Sequence, residues 1–417
     1  MPPAGYTSPA TKNAVNITDT FVSLTGSFTN PSGYTTAAWF QYGTDTNYGS
    51  NSNSNYYSDS GSISVSINVS GLTAGATYHF RIVTNNSGGQ WYGSDNTFTM
   101  NAAYPPITYL SSSLYAPQRL TVDSANVYWT ELTSSAADSG SVKMTPKAAN
   151  GPATILESGL NYPFGVAVDS TYVYFTEQNG GTLQKVPIAG GTAIILASNL
   201  NSPQYLAVDS SNVYFTELGT YDSVNGVQNN DGTIKKIPIS GGNTTTLANG
   251  LAGPQTIAVD SNNVYWTEEA NFFSGAGTIK SVPIAGGTVA TLVSGLSGSQ
   301  NIALDTTNGY IYFWGGYGTL DKVSITGGPT FEIVSGMNGT PPLSTDGLNI
   351  YWTETSIGGT LKMIPVAGGN VSIVATGLIN PGAIVLDSAS VYWVQGSSYN
   401  SSSGGWNSDG AIAKTAK

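Results

Sequence analysis

Several stretches of the chain carry side chains that could hold a ligand by stacking and hydrogen bonding. Aromatic rings stack on sugars and anchor protein partners, and short polar neighbours supply hydrogen bonds. Our candidate ligand-binding residues are the aromatic side chains of these stretches and one adjacent acid, namely Tyr162, Phe164, Tyr205, Tyr221, Asp222, Phe272, Phe273, Tyr399 and Trp406. An alternative interpretation is that the rings only cover hydrophobic seams beneath their own loops, and the sequence leaves both open.

Acidic residues in the same stretches suggest a second chemistry. A glycoside hydrolase of the common type needs two carboxyl groups about 5 to 9.5 Å apart. The acids that fall outside any repeated pattern are the candidates for such a pair, namely Asp222, Asp231, Glu269 and Asp409. Sequence alone does not bring two of them that close, so catalysis ranks below binding among our hypotheses.

Other common chemistries lack their residues. The chain has no cysteine and a single histidine, His79, which excludes thiolate catalysis, and beyond residue 103 also a Ser-His-Asp triad and His-ligated or Cys-ligated zinc. Only Arg119 represents arginine in that region, so we expect no arginine clamp for phosphate or carboxylate. We interpret His79 as a solvated strand residue. No cofactor and no metal are predicted.

The elements that position these residues repeat along the C-terminal three quarters of the chain. The hexapeptide NVYWTE and its variants recur at intervals of 39 to 51 residues, with a shared tyrosine at Tyr128, Tyr174, Tyr214, Tyr265, Tyr312, Tyr351 and Tyr392. Each unit contains four strand candidates, A to D, of the types TIAVD, VYWTE, GTIKKIPI and TTLANGL. Seven units of this length predict an all-β fold, a seven-bladed β-propeller over residues 104–417.

Strand counting also predicts how the propeller closes. Segments of types A, B and C occur seven times, but type D occurs six times within the array, and the chain ends on a C strand. The segment ITYLSSSL, residues 107–114, precedes the first A strand and supplies the missing D strand. This 3+1 closure by an N-terminal strand would leave no open sheet edge.

Residues 1–103 form a separate unit with the alternation of a small antiparallel sandwich. The stretch GLTAGATYHFRIVTNNSGG resembles the end of a bacterial fibronectin type III domain, with Tyr78 at the tyrosine corner of that family. The resemblance implies a fibronectin type III-like β-sandwich, in which Trp39 is expected to be a core aromatic residue of the third strand.

The repeats of residues 104–417 resemble those of YWTD-type propellers, and the array is similar to secreted bacterial proteins with the pattern VDSxNVYWT…GTIKKVPIAGG. Propellers of YWTD receptors generally have six blades, so their ligand-binding residues do not transfer to a chain with seven. The resemblance therefore implies the fold and an extracellular location, but no particular ligand.

The connections between strands B and C differ in length from blade to blade. They are short in blades 2, 5 and 6 and long in blades 1, 3, 4 and 7, where the longest reads LGTYDSVNGVQNND. In propellers these connections share one face with the D-to-A loops, and that face commonly holds ligands. We expect two opposed walls, from blades 3 and 4 and from blades 7 and 1.

Residues present in nearly every blade are expected to serve the blade itself. Strand A ends on an aspartate in each unit, namely Asp123, Asp169, Asp209, Asp260, Asp305, Asp346 and Asp387. Each aspartate precedes a tight turn, and we expect its carboxylate to accept hydrogen bonds from the backbone of that turn. Five blades end strand B on a glutamate: Glu131, Glu177, Glu217, Glu268 and Glu354. We expect each to bind its own loop or a strand C lysine, and the alternative is a ring of carboxylates for a cation.

Composition limits the partners. The net charge is −11 and 9% of residues are charged, which argues against nucleic acid, and no apolar run is long enough for membrane insertion. Our leading hypothesis is a secreted or cell-surface, non-catalytic binding or scaffold protein whose propeller loop face recognises an extracellular glycan or protein. The alternatives are a self-associating filament or matrix subunit and a carboxylate-dependent glycoside hydrolase.

Overall fold

The chain divides into two compact units, Met1–Tyr104 and Pro105–Lys417. In this computed structural model the described residues are 5–17, 21–101, 103–134, 136–148, 153–222, 227–268, 277–296, 301–315, 318–337, 341–355, 359–400 and 405–417. All secondary structure among them is β-strand and turn, and they contain no helix long and apolar enough to cross a membrane.

The first unit consists of two antiparallel sheets around one core. The three-stranded sheet contains Thr7–Thr11, Phe21–Asn30 and Gly61–Ser70. The six-stranded sheet contains Ser50–Asn51, Asn55–Tyr57, Thr36–Gly43, Thr77–Asn86, Gly89–Tyr92 and Asn96–Thr99. Strand Thr77–Asn86 buries Tyr78, Phe80 and Ile82 on one face, as its alternation predicts. The backbone N–H of Thr73 donates to the hydroxyl of Tyr78 at 3.0 Å.

Two sequence expectations in this unit change in the structure. Trp39 is not a core residue: it is partly exposed, and its indole donates to Asn51 at 3.2 Å. The adjacent Phe40 is fully buried instead, because neighbouring strand residues point to opposite faces. His79 is partly exposed and its Nδ1 lies 2.8 Å from a carboxylate oxygen of Asp95, so it is paired on the surface rather than simply solvated.

The second unit contains seven four-stranded antiparallel sheets among its described residues, and we number them along the chain. In the order A, B, C and D the strands are Ala116–Val122, Asn126–Leu132, Gly140–Pro146 and Thr154–Leu160 in sheet 1; Pro163–Val168, Tyr172–Glu177, Thr182–Pro187 and Ile194–Ala197 in sheet 2; Pro203–Val208, Asn212–Glu217, Gly232–Pro238 and Thr245–Leu251 in sheet 3; Pro254–Val259, Asn263–Glu268, Gly277–Pro283 and Ala290–Leu296 in sheet 4; Ile302–Asp305, Tyr310–Trp314, Leu320–Ser324 and Phe331–Val334 in sheet 5; Leu343–Thr345, Asn349–Glu354, Thr360–Pro365 and Ser372–Thr376 in sheet 6; and Pro381–Leu386, Ser390–Gln395, Gly410–Ala416 and Thr108–Leu114 in sheet 7. Two further strand pairs are inserted between strands B and C, Tyr221–Asp222 with Val227–Gln228 in sheet 3 and Tyr399–Asn400 with Gly405–Trp406 in sheet 7.

The sheets form a closed cycle. Strand A of each sheet contacts strand A of the next, and strand A of sheet 7 contacts strand A of sheet 1, so the A strands surround the centre of the unit. Thr108–Leu114 pairs with Gly410–Ala416 and completes sheet 7, which confirms the predicted closing strand. Repeated four-stranded antiparallel sheets in such a cycle are the arrangement of a β-propeller.

The core of the second unit lies between neighbouring sheets. One cluster joins Leu110, Leu114 and Tyr392 of sheet 7 to Val127 and Trp129 of sheet 1. The shared tyrosines and most of the neighbouring tryptophan or phenylalanine rings of strand B are fully buried in such clusters. Each fully buried large apolar side chain contributes about 1.5 to 3 kcal/mol, so the strand B motif accounts for much of the attraction between sheets.

The shared aspartate and tyrosine of each sheet form one hydrogen-bonded unit. In sheet 2 a carboxylate oxygen of Asp169 accepts the N–H groups of Thr171 and Tyr172, both at 2.7 Å, and its other oxygen accepts the hydroxyl of Tyr174 at 2.7 Å. All seven sheets repeat the turn contacts and the tyrosine contact. The turn role predicted for the aspartates is confirmed, and the buried tyrosine is the partner that the sequence did not reveal.

This unit makes stability depend on pH at the alkaline end. Burial raises the pKa of Tyr214, Tyr265 and Tyr351 to about 12, together with the hydrogen bond to aspartate for the first two and mainly the negative charge of Asp346 for Tyr351. Because the pKa of an unfolded tyrosine is about 10, folding stability from these hydroxyls is complete below pH 10 and is lost as the pH rises through 12. We expect Tm to fall steeply between pH 10 and 12, together with the absorbance change of tyrosinate formation.

Two substitutions separate this effect from general alkaline damage. Tyr214→Phe should lower Tm at pH 7 and reduce the alkaline loss, whereas Tyr221→Phe, at a tyrosine that is 58% exposed, should do neither. A Tm that stays constant to pH 11.5 would contradict the role of the buried hydroxyls.

A second prediction concerns the closing strand. In sheets 1, 3 and 4 the residue before the last of strand D is a glycine with φ between 68° and 79°, and in sheets 5 and 6 a glycine just after strand D has φ 80° and 74°. The closing strand has Ser113 before its last residue, with φ 59°. The left-handed conformation costs a residue with a Cβ roughly 1 to 2 kcal/mol. Ser113→Gly should therefore stabilise the protein by about 1 kcal/mol, as measured by urea unfolding.

The neighbouring Ser112 provides the matched control. Its φ is not positive, so Ser112→Gly only adds backbone freedom and should destabilise by about 0.5 to 1 kcal/mol. Equal effects of the two substitutions would show that the conformation of Ser113 carries no strain.

Candidate functional site

The B-to-C and D-to-A connections of a sheet meet at the same end of that sheet. Backbone N–H groups of Gln178, Leu218 and Gly396, each just after strand B, donate to the carbonyls of Tyr162, Ser202 and Asn380, each just before strand A. We call the surface made by these two sets of connections the loop face. The shared aspartates and their turns lie at the opposite end.

Two strand pairs extend the loop face, one from sheet 3 and one from sheet 7. Tyr221 is opposite Gln228 in the first, and Tyr399 is opposite Trp406 in the second. We name them hairpin 3 and hairpin 7. In the cycle of seven sheets they are separated by sheets 1 and 2 on one side and by sheets 4, 5 and 6 on the other. They therefore lie nearly across the ring from each other.

The two hairpins share one internal hydrogen-bond network, which we call the clamp. In hairpin 3, Asp231 accepts the backbone N–H and the hydroxyl of Thr220, both at 2.8 Å, and the side chain of Asn229 donates to that hydroxyl at 2.8 Å. In hairpin 7, Asp409 accepts the N–H of Ser398 at 2.9 Å and its hydroxyl at 2.6 Å, and Asn407 completes the same contact.

The sequences of the two inserts agree once they are aligned on the clamp. TYDSVNGVQNND and SYNSSSGGWNSD share tyrosine, serine, glycine, asparagine and aspartate at equal spacing. This internal match was the signal available in the sequence, but it appears only when one insert is compared with the other. The hairpins are thus two copies of one built element.

Two of the candidate catalytic acids, Asp231 and Asp409, belong to the clamp and therefore have a structural role. Hydrogen bonds from the backbone of Thr220 hold the pKa of Asp231 below its ordinary value, and the hydroxyl of Ser398 does the same for Asp409. A general acid of a glycosidase needs the opposite, a raised pKa. Of the other two candidates, the side chain of Asp222 and the whole of Glu269 lie outside the described residues.

The aromatic candidates of the long connections are placed unevenly. Tyr221 is 58% exposed at the base of hairpin 3, available to a ligand. The backbones of Tyr399 and Trp406 form the pairing of hairpin 7, while their side chains are outside the description. Phe272 and Phe273 of the sheet 4 connection lie outside the described residues altogether.

The D-to-A segments that contain Phe164 and Tyr205 predict loops, but in the structure both residues belong to strands. They are the second and third residues of strand A in sheets 2 and 3, because these strands begin at Pro163 and Pro203. Their rings meet edge to face with centroids 5.2 Å apart. The guanidinium of Arg119, in strand A of sheet 1, lies over both rings and donates to the hydroxyl of Tyr205 at 2.6 Å.

The backbone beneath this cluster is fixed by threonines of strand B. Thr130 donates to the carbonyl of Phe164 at 2.8 Å, and the N–H of Tyr205 donates to Thr216 at 3.1 Å. Gly165 follows Phe164 in strand A of sheet 2. A side chain has no room there, because a Cβ would lie 2.2 Å from the carbonyl oxygen of Gln204. From sheet 1, the side chain of Arg119 extends past sheet 2 to Tyr205 in sheet 3. Sequence reasoning did not predict this contact.

Tyr162, the last aromatic candidate, has an unusual backbone. Its φ is 60°, and the corresponding residues of sheets 3, 4 and 7 are Ser202 at 53°, Gly253 at 62° and Asn380 at 42°. Glycine and asparagine adopt this region more readily than other residues, whereas a bulky residue there is an outlier. The fold requires the conformation, but it does not require tyrosine.

The strand B glutamates do not form an open ring for a cation. Glu131, which is fully buried, accepts the indole N–H of Trp129 at 3.1 Å and pairs with Lys143 at 3.0 Å. Glu217, Glu268 and Glu354 pair with strand C lysines in the same way, and Glu177 accepts hydrogen bonds from Thr182 and Gln184. The internal role is confirmed, and no cluster of three potential metal ligands occurs in the described part of the chain.

Comparison with known proteins identifies the fold of the second unit. No family model and no curated protein matches the chain. Among solved structures it is similar to the WD40 β-propeller domain of Doa1, at 12% identity, with a TM-score of 0.54 over 75% of this chain and 96% of that one. A structural genomics protein of unknown function from Bacteroides thetaiotaomicron matches 98% of each chain at 12% identity and a TM-score of 0.43. The likeness to Doa1 shows the β-propeller fold alone.

Tyr162 allows a test of whether the loop-face rings serve the fold. Tyr162→Asn introduces the residue that sheet 7 has at this place and relieves the left-handed strain, so we expect stabilisation by about 0.5 to 1 kcal/mol in urea unfolding. Tyr162→Phe keeps the strain and the ring and should leave stability unchanged. If Tyr162→Asn destabilises the protein, the ring covers a hydrophobic seam and is not reserved for a ligand.

Proposed function

We propose that this protein is a non-catalytic binding or scaffold protein, secreted or displayed on the cell surface, whose loop face recognises an extracellular glycan or protein. In this proposal the first unit is a fibronectin type III-like spacer. The second is a seven-bladed propeller of YWTD-like repeats and acts as the recognition head. The bond from Thr73 to the hydroxyl of Tyr78 supports the tyrosine corner of such a spacer domain.

The repeated clamp is the observation that carries the proposal. Sheet 2 connects strands B and C without any insert, so the sheets close without hairpins. Two hairpins with the same clamp nevertheless stand nearly across the ring from each other. A feature that the fold does not need, built twice in the same way, is best explained by contact with a partner.

The lysines of the second unit do not favour nucleic acid as the partner. Each of the ten lysines in the second unit contacts a carboxylate or a backbone carbonyl of the unit itself. These lysines are engaged within the fold, whereas binding to a phosphate backbone needs several available cations. Exposed Tyr221 and its polar neighbours suit stacking and hydrogen bonding, as in sugar recognition.

Shortening hairpin 3 tests the proposal directly. Replacing Leu218 to Asp231 with QNG, the connection of sheet 2, should leave Tm close to that of the parent because sheet 2 closes in this way. Binding to ligands found on a glycan array should be lost, since the exposed ring of Tyr221 is removed. Trp406→Ala in hairpin 7 should weaken the same binding by about 1 to 3 kcal/mol.

Two controls make the result specific. Ser240→Ala changes the C-to-D turn of the same sheet, at the end away from the loop face, and should leave binding unchanged. Light scattering after size exclusion reports self-association, the alternative function, in the same samples. A shortened protein that folds normally and retains every array signal would refute recognition by the loop face.

A further inference from the structure

Arg119 has a setting that no other cation of the second unit shares. The ten lysines are engaged by carboxylates or carbonyls, but Arg119 forms no ion pair with any described residue. Arginine has five N–H groups. Within the described residues its guanidinium donates one hydrogen bond, to the hydroxyl of Tyr205. In a chain with a net charge of −11, this partly buried cation has no counter-charge among the residues that the structure describes.

The rings around Arg119 hold the charge without neutralising it. The guanidinium carbon lies 4.8 Å from the ring centre of Phe164 and 5.1 Å from that of Tyr205. Cation–π contacts of this kind fix a guanidinium in place and leave its remaining N–H groups able to donate. Because threonines of strand B fix the backbone of both aromatic residues, the arrangement exists before any ligand binds.

The other sheets do not have a charged residue at the position of Arg119. Counted back from the aspartate that ends strand A, the residues that correspond to Arg119 in the other sheets are Gly165, Tyr205, Thr256, Asn301, Pro342 and Ala383. None of them carries a charge. A residue that the repeat does not conserve in type, and that finds no counter-ion in the described part of the chain, is best explained by an anion from outside the chain.

We propose that Arg119, held by Phe164 and Tyr205 inside the ring of A strands, binds the carboxylate of an acidic sugar residue. The proposal deepens the function proposed above and rests on it. A planar guanidinium donates two parallel hydrogen bonds to a carboxylate, which a lysine does not. The proposal departs from the sequence-based expectation of no arginine clamp for carboxylate, because the structure places two aromatic rings beside this one arginine.

Neighbouring residues favour a sugar over a peptide as the source of the carboxylate. Thr256 and Asn301 correspond to Arg119 in sheets 4 and 5, and Gln118 and Gln204 directly precede Arg119 and Tyr205 in the chain; all four are partly exposed. The hydroxyl of Thr256 in sheet 4 donates at 3.4 Å to the side-chain oxygen of Asn301, which directly precedes strand A of sheet 5. Amides and hydroxyls beside aromatic rings match the alternating polar and apolar faces of a sugar.

Arginine side-chain NMR gives a direct test, because the chain contains only two arginines, Arg81 and Arg119. Protein labelled with 15N-arginine should show two Nε signals, and the one missing in Arg119→Gln is that of Arg119. Titration with a trimer of galacturonate should shift this signal with saturation and leave Arg81 unmoved. The methyl-esterified trimer, which has no carboxylate, should have no effect.

Substitutions give the expected magnitudes. Arg119→Gln should weaken binding of the acidic trimer by about tenfold or more, as expected for hydrogen bonds to a charged group. Arg119→Lys should recover only part of this loss, since it keeps the charge without the planar donors. Lys12→Gln, which removes the same charge from an exposed position of the first unit, should bind like the parent.

Each other outcome overturns the inference. These outcomes are no shift with the acidic trimer, equal shifts with its ester, or unchanged binding by a folded Arg119→Gln. A shift caused only by a tetrapeptide with a free carboxylate, and not by its amide or by the trimer, overturns the assignment to a sugar. The hairpin 3 variant separates the two proposals: loss of glycan binding there, with Arg119 inert, leaves the loop face standing and removes this site.

Discussion

Backbone pairing between Thr108–Leu114 and Gly410–Ala416 is the constraint on which the second unit depends. Each sheet buries its strand B rings against the next sheet, so an incomplete sheet would leave two neighbours without part of their core. The closing strand inserts Leu110 and Leu114 between sheets 7 and 1 beside Trp129. It also pairs with backbone N–H and C=O groups of Gly410–Ala416 that would otherwise be free to pair with another chain. The cycle of A strands, and with it the loop face, exists because this pairing closes it.

Within the closed cycle, the residues divide according to whether the repeat uses them. The shared aspartates hold their turns and tyrosines, and the strand B glutamates are satisfied by strand C or by their own loops. Lysines of strand C extend this internal use, since Lys185 and Lys236 each donate to a carbonyl of the next sheet. The charged side chains at these repeated positions therefore form contacts within the propeller. Two residues are not used by the repeat in this way: Tyr221, whose ring is exposed, and Arg119, which forms no ion pair with any described residue.

The sequence predicts the repeated part of this structure well, for a physical reason. A residue that must fill the same place in several sheets recurs at a fixed spacing, so the turns at Asp123 and its equivalents were readable, and a count of D strands located the closing strand. Single events are different. Trp39 was misplaced because a shift of one residue along a strand exchanges its two faces. Phe164 and Tyr205 belong to strands that the sequence does not delimit, because the residues after the first position of strand A vary among the repeats. Arg119 reaches two sheets away, and no local pattern records a contact of that kind.

The position of the closing strand also orders events in time. Its partner Gly410–Ala416 is synthesised about 300 residues later, an interval of roughly 15 to 60 seconds at ordinary rates of translation. Joining the two segments carries a large loop-closure entropy and gives the fold a high contact order, so completion of the ring is expected to be a late and slow step. Until then Thr108–Leu114 must remain soluble without a partner. Its composition suits that wait, because four of its seven residues are serine or threonine and the others are two leucines and a tyrosine.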